Sequence, residues 1–530
     1  MRPDLIVHNA QIATCDGRDS RHNSLAVWRD RICAVGADHE VLALASAGTR
    51  VVDLNGRFVC PGFIDCHVHL SSWAVVTSGR EINLDGTASL AQTLERIGRC
   101  SADGWLRGRG WDKNHWPEQR FPTAADLDAV TGDIPAVFPS HDGHSLWANS
   151  AAMRAARVPL DIDDPPGGRI LRDAIGRPSG VFQEAACALV WDRVPDYEPA
   201  ELADALRKAL PVACALGLTG VHNMEARNAF RAVQSVCAEG GLSLRVARYF
   251  PASSLDAAEE LALCSGLGDE WIRIAGVKTF LDGALGAQTA AMLEPYDGSE
   301  DGGALVMAPE ELRELVCRAT RSGLATAVHA IGDLAVHVAL DAYESAKTTV
   351  RGPWPRHRIE HAQHVHPSDV TRCGRLKVVA SMQPVHMLAD IDTCERHLAS
   401  RRDRAFPLRS ILEANVPMAF GSDAPVEVID PLEGIRAAVR RQRRTGGPDG
   451  GWCPQQRLTA RQALRGYTIG AAFASGEEAI KGSLEVGKLA DFVLVSHDLT
   501  GADPDALAQA RVLATVAGGR VTHDPEGVLA

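Results

Sequence analysis

The chain has 530 residues, 45% hydrophobic and 23% charged, so it is globular and too long for one ordinary core. Its 55 Lys and Arg against 67 Asp and Glu leave a formal net charge of −12, which excludes the basic field that nucleic acid or an anionic membrane attracts. The 13 cysteines are scattered without a C-x-x-C pair, no cationic and apolar leader opens the chain, and no apolar run reaches about 18 residues, so a reduced, cytoplasmic protein with a small-molecule partner is expected.

Short β-like segments come first, at Leu5–Val7, Leu25–Trp28, Ile32–Val35 and Val51–Leu54, separated by Asp, Gly and Arg at turn positions. The far end repeats the pattern at Ala490–Ser496, Arg511–Ala517 and Arg520–Thr522 around the Gly518-Gly519 turn. Because chain ends often lie together, residues 1–57 and 477–530 are predicted to build one small β-sandwich domain.

Between the ends, apolar strand candidates fall at Phe58–Ile64, Thr219–His222, Leu244–Phe250, Trp271–Phe280, Ala325–His329, Arg358–His361, Val378–Met382 and Val416–Phe420. Amphipathic helix candidates alternate with them at Ala200–Leu216, Ala226–Glu239, Ser254–Cys264, Pro309–Ser322, Leu334–Ala346 and Arg404–Ala414. The alternation predicts an α/β fold, a (β/α)8 TIM barrel spanning residues 58–70 and 198–476. The long interval at 71–197 exceeds any βα unit and is predicted to be an inserted α/β subdomain covering the barrel mouth. It carries Trp73, Trp105, Trp111, Trp116 and Trp147, too aromatic for a disordered linker.

Active groups of such a barrel belong at the C-terminal ends of its strands, and that is where metal-competent residues fall. His67 and His69 follow the first strand, and side chains two apart on a strand share a face, so both imidazoles can reach one divalent ion, with Asp65 as an acceptor that orients a ring. Lys278 lies near the end of the fourth strand, His329 and His361 end the fifth and sixth, and Asp423 follows the eighth. Ile274, Gly276, Lys278 and Phe280 share a face. A lysine facing a low-dielectric barrel loses its proton readily and can then capture carbon dioxide as a carbamate, an anionic ligand. Pairing of Lys278 with Asp282 or Asp423 is the alternative, and the residues alone leave both open.

Pro61–Leu70, Val277–Gly283, Val328–Asp333, Arg358–Gln363 and Gly421–Pro425 together resemble the metal-dependent amidohydrolase superfamily, amidohydrolase family 3, and within it the branch of N-substituted formamide deformylases. Gly110-Trp111-Asp112, Asp142–Ser150, Arg457–Ala460, Tyr467–Ala472 and Gly482–Asp491 extend the resemblance into the insertion and to the far end. It implies a hydrolase of non-peptide carbon–nitrogen bonds with a divalent metal, usually zinc, one ion or two. By position, His67, His69 and Asp423 would hold the more buried ion and His329 and His361 the more exposed one, with Lys278 bridging as an N6-carboxylysine. Asp423 would be the catalytic acid and base, and a homodimer would be typical of such barrels.

Trp111, His144, Asp282, Gln288, His222 and His386 are candidate substrate contacts, His144 as a donor and Trp111 as an apolar wall, although His144 and Trp111 can instead pack the insertion, Trp111 the more readily, and His222 and His386 can equally be structural. Cys60 and Cys66 read as small buried residues, because no activating base accompanies them. A cyclic amide or amidine hydrolase or deaminase fits the same ligands. A non-catalytic regulator or scaffold would be marked by a lost ligand, and all six positions hold a ligand-competent residue.

Overall fold

The computed structural model describes residues 2–101, 104–501 and 504–530. Its centre is an eight-stranded parallel sheet. In chain order its strands are β1 Phe63–Val68, β2 Leu218–Asn223, β3 Arg245–Pro251, β4 Ile272–Phe280, β5 Ala325–Ala330, β6 Arg358–His361, β7 Val379–Met382 and β8 Met418–Phe420. Sequence order equals spatial order, as in a TIM barrel, and a parallel bridge from Val68 to Ala424 joins the two end strands. Gly421 permits that closure: a Cβ there would lie 2.5 Å from the His67 nitrogen and 2.6 Å from Asp65 Oδ1.

The predicted first barrel strand, Phe58–Ile64, is two strands. Phe58–Pro61 pairs with Gln11–Ala13 and Phe492–Val495 in another sheet, and only from Phe63 does the chain enter the barrel. The break falls at Gly62, where any Cβ would overlap the Thr219 side chain at 2.3 Å, so only glycine lets the chain cross between sheets there. A continuous apolar run hides this switch, because both strands are buried.

The chain ends build two sheets over a shared core that includes Val7, Ile12, Leu25, Val59, Phe492, Leu494 and Val516. One sheet has four strands from the N-terminal end; the other has six strands and combines Gln11–Ala13, Arg21–His22 and Phe58–Pro61 with Phe492–Val495, Val512–Ala517 and Arg520–His523. Arg21–His22 and Gln11–Ala13 were too short to show in the hydrophobic pattern.

After β1 comes the helix Leu70–Thr77, and its Trp73 packs into the barrel's core rather than into the insertion. A six-stranded mixed sheet from Ile82–Asn83 to Pro178–Glu184 follows, with helices Leu90–Gly98, Ala124–Thr131 and Ser150–Ala155. Trp111, Trp116 and Trp147 form its core. The helix Pro199–Ala215 then leads back to β2.

Two predicted helices are shorter than their periodicity suggests, Leu255–Glu260 and Leu408–Glu413. Helices at Pro367–Leu376, Pro384–His397 and Pro431–Arg440 went unpredicted, although each begins with a proline, whose missing N–H costs nothing at that position. Among the described residues no helix is long and apolar enough to cross a membrane.

Candidate metal centre and substrate cavity

Barrel closure assembles the site. Asp423 donates its backbone N–H to the His67 carbonyl at 2.7 Å, and His69 donates to the Ala424 carbonyl at 2.8 Å. This lacing brings Asp423 Oδ1 to 3.3 Å from His67 Nε2 and 3.1 Å from His69 Nε2. Asp423 adopts φ +60° and His361 φ +72°, left-handed backbone that is uncommon for non-glycine residues. For His361 the consequence is direct. Arg358 and Glu360 alternate into the barrel, and a regular strand would turn His361 outwards; its left-handed backbone instead brings its ring to 5.0 Å from that of His67.

Ligand atoms of His67, His361 and Asp423 all lie within 4.8 Å of one another. This grouping differs from the one expected from the sequence, which placed His361 with His329. The two rings are neighbours, 4.4 Å apart, but His329 Nε2 lies 3.0 Å from the Gly283 carbonyl. The residues suit a divalent cation: His361 Nδ1 and Asp423 Oδ1 are buried without a hydrogen-bond partner, and two imidazoles with a carboxylate make a borderline-soft donor set of the kind zinc prefers. Burial holds His361 and His329 far below the usual imidazole range and so keeps them neutral, as ligands must be. Burial works against the Asp423 carboxylate, yet His67 and His69 hold it well below its ordinary value.

Asp65 does not orient the His67 ring. Its carboxylate accepts from the backbone N–H groups of His67 and Ser422 and from Ser422 Oγ, occupying the seam between β1 and β8. The ring's partner is Glu360, whose Oε2 lies 2.6 Å from His67 Nδ1. Glu360 is fully buried, accepts from Ser381 Oγ at 2.7 Å and is clamped by both Nε and Nη2 of Arg358. Burial alone would raise its pKa; Arg358 and His67 drive it far down instead. Sequence reading missed this pair, although the alternation in Arg358-Ile359-Glu360 signals two charges on one inward face.

Lys278 is buried and pairs with neither Asp282 nor Asp423. Its Nζ lies 3.9 Å from the Phe280 ring centroid and makes one long bond, 3.4 Å, to the Thr279 carbonyl. Burial lowers it to about 8. Cys60 and Cys66 are wholly buried, and burial pushes the Cys66 thiol up to about 12.

A cavity of about 800 Å³ opens over the centre, walled by His329, His361 and Asp423 from the barrel and by Trp111, His144 and Glu184 from the insertion. Glu184 holds His144 Nδ1 at 3.0 Å and is itself held by Thr289 Oγ1. Burial would lower the pKa of His144, but Glu184 raises it to about 9. His141 ties the insertion to the loop after Asp423, with Nδ1 at 3.0 Å from Asp85 and Nε2 at 3.3 Å from Glu427.

The other expected contacts divide. Gln288 and His386 line the cavity. Trp111 touches it but is 2% exposed, donates Nε1–H to the Phe138 carbonyl at 2.7 Å and packs against Trp116 and Trp147, so its main work is the insertion's core. Asp282 is no cavity residue: its carboxylate accepts from the backbone N–H groups of Ala291, Ile331 and Gly332, fixing the loops after β4 and β5. His222 is buried beneath the centre with Nδ1 at 2.8 Å from Arg358 Nη1, away from the cavity.

Residues 50–523 match the amidohydrolase family. The chain belongs to that family. It is 34% identical to Protein LONG AFTER FAR-RED 3 of Arabidopsis thaliana, an alignment covering 98% of this chain and 91% of that one. It is 29% identical to N-substituted formamide deformylase of Arthrobacter pascens, over 99% of both chains. Among solved structures, an uncharacterized metal-dependent hydrolase from Pyrococcus furiosus is 30% identical with a TM-score of 0.76, covering 94% of this amidohydrolase and 100% of that chain.

Proposed function

We propose that this amidohydrolase cleaves a non-peptide carbon–nitrogen bond, that of an N-formyl or N-acyl amine or a related small amide, with Asp423 as general acid and base. The observation that carries the reading is the buried cluster of His67, His361 and Asp423, with two orphaned ligand atoms, of which His361 and Asp423 line a cavity roomy enough for a small organic molecule. The end-to-end similarity to a protein named as a formamide deformylase supports the choice of bond.

A divalent ion held here, in our reading zinc, supplies Lewis acidity that makes water nucleophilic near neutral pH and polarises a carbonyl. Every other part belongs to the chain. His67 and His361 present neutral nitrogens, with His69, His329 and Lys278 as further ligands. Lys278 enters as its carbamate, formed when the free amine attacks carbon dioxide and releases a proton. Glu360 accepts from His67 Nδ1 and so leaves Nε2 as the ligating nitrogen. The Asp423 carboxylate takes a proton from the attacking water and returns it to the departing nitrogen, which an amine leaving group requires. The insertion supplies one wall of the cavity through Trp111, His144 and Glu184.

The test is a screen of N-formyl, N-acyl and cyclic amides with zinc, cobalt or manganese supplied. Asp423→Asn is expected to lose about 10²–10⁴-fold in turnover while keeping most of its metal. Normal rates in that variant would refute the assignment. Less than about one ion per chain in the purified protein, with no chelator-sensitive activity, would favour a scaffold.

A further inference from the structure

The helix Pro384–His397, which follows β7, has two distinct faces. Met387, Ile391 and Cys394 pack into an apolar core, whereas His386, Ala389, Asp390, Thr393 and Arg396, spaced three and four apart, line the cavity. His386 is the inner end of that wall, since its Nε2 lies 3.9 Å from Asp423 Oδ2. Asp390 follows one turn later, about 6 Å along the helix axis.

Asp390 differs from the other carboxylates of the cavity wall. Asp142 accepts from Ser140 Oγ at 2.5 Å, Asp392 pairs with Arg443 at 2.8 Å, Glu427 lies 3.3 Å from His141 Nε2, and the remaining lining acids are likewise held. Asp390 is partly buried, yet its carboxylate has no hydrogen bond or ion pair among the described residues. Burial, with the Glu427, Asp142 and Asp112 carboxylates close by, pushes it up to about 8, and His141 compensates only in part. An unpaired acid in an acidic wall is costly in the free protein and suited to receiving a cation.

The cations of the wall do not serve it. Lys113 Nζ bonds Asn114 Oδ1 at 2.9 Å and lies 4.6 Å from the Phe121 ring centroid, while Arg169 and Arg396 are exposed to solvent. The partner that Asp390 lacks therefore has to come from the ligand. Building on the amide reading above, we propose that Asp390 is a specificity-determining residue that pairs with an ammonium or amidinium group of the substrate, carried about one helical turn from the bond that is cut.

The experiment uses the metal-loaded full chain and three formamides of equal length: one with an ammonium about 6 Å from the formyl carbon, one with a methyl group there and one with a carboxylate. Wild type is expected to show the highest kcat/KM on the ammonium compound, chiefly through a lower KM. Asp390→Asn is expected to reduce the ratio of ammonium to methyl substrate by about 10- to 100-fold, with metal content and melting temperature preserved. Asp390→Lys is expected to turn the preference towards the carboxylate, and it decides the matter if the asparagine protein does not fold. An unchanged ratio in Asp390→Asn, or an unshifted preference in Asp390→Lys, would overturn the inference. A wild type that cleaves the formamides without favouring the ammonium, or that favours the carboxylate, would overturn it too and leave the proposed function intact. A wild type that cleaves no amide would overturn both.

Discussion

Asp423 and His361 owe their positions to left-handed backbone, and Glu360 and Arg358 owe theirs to strand alternation. The sequence named His361 and Asp423 from their places after apolar runs, but it could not show that His361 turns inwards beside His67, since φ is set by packing and not by residue type alone. Glu360 was legible and overlooked. Replacing it with Gln removes the charge that both orients His67 and neutralises the buried Arg358. Glu360→Gln is therefore expected to weaken metal affinity by about 10- to 100-fold, measured by chelator competition. Unchanged affinity would reduce Glu360 to a packing role.

At the scale of elements, the seam between β1 and β8 is the critical contact, because Asp423 reaches His67 and His69 only through it. Gly421→Ala would press a methyl group against the His67 backbone and the Asp65 carboxylate, a strain of about 1–3 kcal/mol, seen as a lower melting temperature together with loss of bound metal. An unchanged protein would show that the seam is more forgiving than its distances suggest. The insertion has a pH-dependent fastening of its own in His144 and Glu184, joined at 3.0 Å. With His144 raised from its ordinary 6.5 to about 9, the pair stabilises fully below about pH 6.5 and loses its contribution as pH rises through about 9. The melting-temperature gap between wild type and His144→Phe should accordingly be widest in mild acid and close in alkali. A gap that widens with pH would contradict the pairing.

At the scale of the whole molecule, β3 of the barrel is bolted to the sheet of the chain ends by Arg245 and Asp491, 2.7 Å apart and almost wholly buried. Asp491 also accepts from the Gly518 N–H, so it serves both bodies. Asp491→Ala would strand a guanidinium in the interior, and a loss of about 3–5 kcal/mol is expected in chemical denaturation. A loss under about 1 kcal/mol would mean that solvent reaches Arg245 there. Neither partner could be paired from the sequence, since 246 positions separate them. The eight strands, their order and the strand ends where the candidate ligands fall were legible in the sequence, because buried parallel strands must be apolar runs and a barrel puts its chemistry where those runs stop. What the tertiary structure alone decided was which candidate ligands share a point and where one buried run divides between two sheets at Gly62. Those outcomes depend on backbone angles and hydrogen-bond accounts that close only when distant segments meet.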